Sequence, residues 1–135
     1  MASLVDTSLW IAMYRDRGGQ LAARVKAACR GEEPVFARAI AMEILQGCST
    51  DAEWTLTNDY LEGQTYLEMS AEAWVLASRI FFDLQRTGTT VRSSLDCCRA
   101  QIALDHDCTV VHDDRDFEII ATVRPLKQIR LKASP

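Results

Sequence analysis

Histidine is scarce in this chain, and its cysteines are not arranged to hold a metal. The only histidines are His106 and His112, and no Cys-x-x-Cys pair occurs among Cys29, Cys48, Cys97, Cys98 and Cys108. A structural zinc site needs four closely spaced nitrogen or sulfur ligands, so the chain is a poor candidate for one. The cysteine count is odd, and no basic stretch followed by a signal-type apolar run opens the sequence. Both observations argue against a secreted disulfide framework. No apolar run approaches the roughly 20 residues of a membrane-spanning helix. The expected location is the cytoplasm, with no membrane association. Positive charge is not in excess either. Nineteen acidic residues against 15 Lys and Arg leave a net charge of −4, which argues against a basic protein that coats nucleic acid nonspecifically. Repeats and low-complexity segments are missing as well.

What is present suits one α/β domain over residues 1–135, with 48% of residues hydrophobic and therefore a real core. Ser3–Val5 reads as a buried strand. Thr7 or Ser8 can cap the helix after it, and Gly18-Gly19 stops that helix. Leu21, Val25 and Ala28 form the stripe of a second helix, closed by Gly31. Pro34-Val35-Phe36 is a short strand candidate, and Ile40, Ile44 and Leu45 mark a third helix. Residues 51–69 read as helix with a break near Gly63. Ser70 caps the clearest helix, whose stripe of Ala73, Trp74, Ala77, Ile80, Phe81 and Leu84 belongs to a core or a dimer interface. Ser93 or Ser94 caps a helix that starts near Asp96 and carries Ala100, Ala103 and Leu104. Thr109–Val111 is a buried strand, residues 117–121 a short helix and residues 128–131 a last strand. Strands alternating with helices predict a mostly parallel sheet covered on both faces.

Four acidic residues stand where a solvated charge is not expected. Asp6 ends the first strand, and Glu43 is embedded among Ala41, Met42, Ile44 and Leu45. Asp96 opens an apolar helix, and Asp114 follows Val110-Val111. Taken singly, each has a plain structural role, because aspartates cap helices and populate turns. Together, with two of them past strand ends of one sheet, they suggest a site at the carboxyl edge where α/β ligands bind. Two carboxylates about 4 Å apart repel by about 4 kcal/mol at an effective dielectric near 20. Such a cluster survives when members are protonated or a cation neutralises them. Oxygen ligands without histidine or cysteine favour Mg²⁺ or Mn²⁺. Ions so held can activate water and support in-line displacement at a phosphodiester. Basic residues gather near the start (Arg15, Arg17, Arg24, Lys26, Arg30) and end (Arg124, Lys127, Arg130, Lys132). They are either solvated faces or phosphate contacts. Cys97-Cys98 is either a redox-sensitive pair or two small residues of a buried helix.

The stretch Leu4-Val5-Asp6-Thr7-Ser8-Leu9-Trp10-Ile11 resembles the opening motif of PIN domains. Ala41-Met42-Glu43-Ile44-Leu45-Gln46-Gly47 is similar to the second motif and Asp96-Cys97-Cys98-Arg99-Ala100-Gln101-Ile102-Ala103 to the third. His112-Asp113-Asp114-Arg115-Asp116-Phe117 is similar to the fourth. The four occur in family order across nearly the whole chain, as in VapC toxins of bacterial VapBC toxin–antitoxin modules. The resemblance implies a PIN-like α/β/α sandwich and a Mg²⁺-dependent (or Mn²⁺-dependent) endoribonuclease. It further implies a homodimer silenced by a VapB-type antitoxin. Asp6, Glu43, Asp96 and Asp114 would be catalytic and metal-binding, with Asp116 a further metal ligand and Thr7 or Ser8 a nearby hydroxyl. One departure is Cys97-Cys98-Arg99, where family members often carry aliphatics; Arg99 can pair with a carboxylate or reach RNA.

Two rivals remain. A phosphoacceptor such as a receiver domain wants an acidic pair after the first strand and a late lysine, but no lysine lies between Lys26 and Lys127. A haloacid-dehalogenase-like phosphatase wants a second acid where this chain has Ser8. The other rival is a PIN-like module that binds RNA or a partner without cleaving; the complete acidic set argues against it.

Overall fold

The structure, a computed structural model, describes residues 2–133. Three short parallel strands form its centre: β1 (Ser3–Val5), β2 (Thr109–His112) and β3 (Gln128–Arg130), in that order across the sheet. Leu4 pairs with Val110 and Val5 with Val111. Successive strand residues point to opposite faces, and the packing follows that rule. Leu4 and Val110 join Phe36, Ile40, Ile80, Ile102 and Phe117 in the larger core. Val5 and Val111 join Leu9, Leu21, Val25 and Cys29 in the smaller one.

The smaller core is roofed by α1 (Thr7–Arg15) and α2 (Gln20–Ala28). The larger is closed by α3 (Arg38–Gln46), α4 (Asp51–Glu62), α5 (Ala71–Arg86), α6 (Ser94–Asp105) and α7 (Arg115–Ile120). The architecture is therefore an α/β/α sandwich, as expected.

Several boundaries differ from the sequence reading. Asp6, rather than Thr7 or Ser8, caps α1, its carboxylate accepting from the Ser8 N–H. Residues 34–36 are no full strand. Val35 makes a single parallel bridge to Leu4, and Phe36 another to Tyr66. The predicted helix over 51–69 stops at Glu62, and Tyr66 lies extended beside Phe36. The Phe36 N–H donates to the Thr65 carbonyl, and the Leu67 N–H donates to that of Phe36. Pairing with a distant strand edge thus overrides the local helical pattern beyond Gly63. Helix α7 begins two residues earlier than expected because Asp114 caps it. On α5, Ala73, Ala77, Ile80 and Leu84 are buried, but Trp74 is 57% exposed and leaves the core stripe. Among the described residues no helix is long and apolar enough to cross a membrane.

Candidate metal centre

Strand ends and helix starts put the acidic residues on one edge. Asp6 follows β1 directly, and Asp114 lies two residues past β2. Asp96 sits in the first turn of α6, and Asp116 in the first turn of α7. Three helix N-termini therefore converge here, and their partial positive charge favours carboxylates. Capping and pocket-facing turn out to be compatible, because a carboxylate has two oxygens. Asp6 Oδ2 takes the Ser8 N–H at 3.1 Å and the Ser8 hydroxyl at 2.8 Å. Its Oδ1 is buried without a hydrogen-bond partner. Asp116 Oδ2 accepts the Arg92 N–H at 3.0 Å, while its Oδ1 is likewise buried and unpartnered.

Asp96, Asp114 and Asp116 each place a carboxylate oxygen within 4.8 Å of the others. Burial, followed by the charges of Asp6, Asp114 and Asp116, pushes the Asp96 pKa up to about 8. Arg99 opposes that rise, donating from Nη1 to Asp96 Oδ1 at 2.6 Å. The same guanidinium bonds Glu43 Oε1 through Nη2, and its Nε faces Asp6 Oδ1 at 3.6 Å. The Arg99 side chain is only 4% exposed. It is thus a buried cation bridging Asp6, Glu43 and Asp96, and it does not extend outward toward RNA. Burial lowers its pKa, and the carboxylates of Asp6 and Asp114 oppose that. A guanidinium nonetheless stays charged in proteins.

Outer contacts hold this arrangement. Thr7 donates its hydroxyl to Glu43 Oε1 at 2.8 Å, tying α1 to α3. The buried His112 ring accepts the Asp114 N–H on Nδ1 at 3.0 Å, which leaves the ring proton on Nε2 for Gln128 Oε1 at 2.7 Å. Its scarcity notwithstanding, this histidine aims the loop that carries Asp114. Asp113 turns away from the cluster, accepting from Arg130 at 3.1 Å and the Ala133 N–H at 3.0 Å. Sequence reasoning passed over Arg92, whose Nη2 donates to Asp114 Oδ1 at 3.3 Å. It lies in a connector without periodicity, and only its place just before the Ser93 cap of α6 hints at proximity.

Cys97 and Cys98 are buried and unbonded. Burial, then the Asp96 charge, pushes the Cys97 thiol up to about 11. The thiolate needed for redox chemistry is therefore disfavoured, and the pair serves as two small residues of a buried helix. Several late basic residues are engaged within the chain: Arg124 with Asp83 at 2.9 Å, and Arg130 with Asp113 and Glu118.

The donor set suits a hard divalent ion. It is all oxygen, carries more negative than positive charge, and contains two buried carboxylate oxygens with no hydrogen-bond partner. A family model described as PIN domain matches residues 3–123. The chain belongs to the PIN domain family, among its VapC members. It is 35% identical over 127 residues to Ribonuclease VapC11 of Mycobacterium tuberculosis, covering 92% of this chain and 95% of that one. It shares the same identity and coverage with VapC ribonuclease Mb1587 of Mycobacterium bovis. Among solved structures, VapBC2 from Rickettsia felis bound to a promoter DNA fragment matches with a TM-score of 0.75. The sequences there are 12% identical, and the match covers 98% of this chain and 100% of that chain. VapBC-1 from nontypeable Haemophilus influenzae matches with a TM-score of 0.73 at 15% identity, covering 96% and 98% of the two chains. These likenesses establish the PIN fold, and the mycobacterial relatives establish the VapC family.

Proposed function

We propose that this chain is a divalent-metal-dependent endoribonuclease and the toxin of a type II toxin–antitoxin pair, acting in the cytoplasm. The observation that carries the reading is the Asp96, Asp114 and Asp116 group, in which Asp116 Oδ1 is buried without a hydrogen-bond partner. These three residues would hold Mg²⁺ or Mn²⁺ directly. Asp6 and Glu43 complete the acidic wall and contribute to positioning. Such an ion, when bound, supplies a Lewis acid for a phosphodiester and an activated water. The chain's own task is to exclude bulk water beneath the strand ends and fix the ligands through Ser8, Thr7, His112 and Arg92. The relatives named ribonucleases support RNA as substrate.

An antitoxin partner is supported by neighbours that are VapBC complexes. A groove of about 440 Å³ between α1, α3 and α4, lined by Trp10, Ile11, Tyr14, Leu56 and Tyr60, offers apolar anchorage for its tail. A basic antitoxin side chain would meet the acidic edge nearby. Exposed Trp74, Val75 and Phe82 on α5 offer the homodimer face.

The test is cleavage of total cellular RNA by the purified chain with Mg²⁺, with EDTA, and with Asp96→Asn. Cleavage should require the metal, and Asp96→Asn should lower the rate about 100-fold or more. Undiminished cleavage in EDTA overturns metal dependence. Buried Arg99 within the acidic cluster is the one observation favouring a binding module that does not cleave. RNA bound but uncut in Mg²⁺ would decide for that alternative.

A further inference from the structure

The acidic pocket has two halves that share Asp96. On one side Asp96, Asp114 and Asp116 approach within 4.8 Å of each other. On the other, Asp6, Glu43 and Asp96 surround the Arg99 guanidinium. A carboxylate wall of this size could hold two divalent ions with Asp96 as the bridging ligand. The second half, however, already contains a buried cation supplied by the chain, whereas Arg92, the cation beside the first half, is 73% exposed. We propose that Arg99 is a built-in cation standing in the position of a second metal, so that the site takes one divalent ion and the guanidinium positions Asp6, Glu43 and Asp96 around it.

The geometry supports a fixed guanidinium. Arg99 lies three residues after Asp96 on α6, so both project from one helix face. Its two terminal nitrogens are engaged, one on Asp96 and one on Glu43. Glu43 is itself held by the Thr7 hydroxyl. Only Nε lacks a hydrogen bond, and it faces the unpartnered Asp6 Oδ1 at 3.6 Å. A planar guanidinium with several fixed donors orients three carboxylates at once. It cannot coordinate water as a metal does. Arg99 is therefore a positioning residue, distinct from the ion that would bind on the Asp114 and Asp116 side.

This inference rests on the metal-dependent reading above, and its test counts ions rather than turnover. Full-length, EDTA-treated protein is titrated with Mn²⁺ by calorimetry and followed by electron paramagnetic resonance. The wild-type chain should bind one Mn²⁺ in the pocket, with an uncoupled spectrum. Arg99→Gln should bind two, with the broadening of a close Mn²⁺ pair. Arg99→Lys, which keeps a cation, should bind one. One ion bound by folded Arg99→Gln overturns the inference; if that variant fails to fold, Arg99→Met takes its place with the same expected and overturning counts. Two ions bound by the wild type overturn the inference, while cleavage by that protein leaves the ribonuclease reading intact. One ion with no RNA cleavage keeps the inference and overturns the ribonuclease reading. No bound ion overturns both.

Discussion

Asp96→Asn separates a metal ligand from a structural partner of Arg99 through the pH dependence of stability. Asn keeps the shape, and its Oδ1 can still accept from Arg99 Nη1, but it carries no charge. Each ionised pair among Asp96, Asp114 and Asp116, within 4.8 Å of one another, repels by at least about 3 kcal/mol at an effective dielectric near 20. The fold answers by raising the Asp96 pKa to about 8. An acid whose pKa is raised by folding binds its proton more tightly in the native state. Its stabilising effect is therefore complete below the unfolded value near 4 and is lost as pH rises toward 8, with a slope of up to about 1.4 kcal/mol per pH unit. Between pH 5 and pH 8 that amounts to at most about 4 kcal/mol. The ion pair with Arg99 at 2.6 Å offsets part of it, so about 1–3 kcal/mol is expected.

The assay is urea unfolding of both proteins in EDTA at pH 5, 6.5 and 8, repeated with saturating Mg²⁺. In EDTA, Asp96→Asn should match the wild type at pH 5 and exceed it by about 1–3 kcal/mol at pH 8. Titrating groups far from the pocket cancel in the difference. With Mg²⁺ the order should reverse, because ligand at 100 times its Kd adds about 2.7 kcal/mol to a protein that binds it. A variant less stable than the wild type by a constant amount at every pH in EDTA would refute the reasoning. Asp96 would then be a satisfied partner of Arg99, not a ligand held against repulsion.

Two further substitutions probe the support of the site. Phe117 is fully buried, and its ring lies 4.9 Å from the His112 ring beneath α7; Phe117→Ala should cost about 3–5 kcal/mol by urea denaturation, and an unchanged midpoint would mean that α7 is not packed as described. Thr7→Val keeps the volume but removes the 2.8 Å hydrogen bond to Glu43; it should cost about 1 kcal/mol of stability and weaken Mn²⁺ binding less than about tenfold by calorimetry, since Arg99 still holds Glu43.

The parts of the fold that local chemistry decides were legible. Val110-Val111 ends in three aspartates, so the strand had to stop there, and it does so at His112. Ser70 was readable as a cap because α5 shows strong helical periodicity, and its hydroxyl accepts the Ala73 N–H at 3.1 Å. What failed was decided at long range. Residues after Gly63 carry no local signal for extended chain; Tyr66 is extended because Phe36 is beside it. Trp74 shares the helical stripe of Ala73 and Ala77 yet lies outside the core, 57% exposed. Periodicity reports which side chains share a helix face, not how wide the opposing element is.

At the site, residue positions were easier to read than the direction of each oxygen. Treating a cap and a ligand as alternatives for Asp6 was too simple, because Oδ2 caps α1 while Oδ1 faces the Arg99 guanidinium inside the pocket without a hydrogen bond. Asp113 and Asp116 flank Asp114, and the helix separates their roles. Asp116 lies inside the first turn of α7 and turns back toward the cluster, whereas Asp113 belongs to the loop and bonds Ala133. Arg99 follows the same logic. Its i, i+3 spacing from Asp96 required it to share the pocket-facing side of α6 once Asp96 was placed there. Spacing could not decide whether so long a side chain would reach solvent or fold inward. The field of Asp6, Glu43 and Asp96 decides it, because burying a guanidinium is tolerable only where carboxylates surround it. The same residues that create the need for a cation thus determine where the chain's own buried cation sits, while on the side of Asp114 and Asp116 the only ion-pair partner among the described residues is the exposed Arg92.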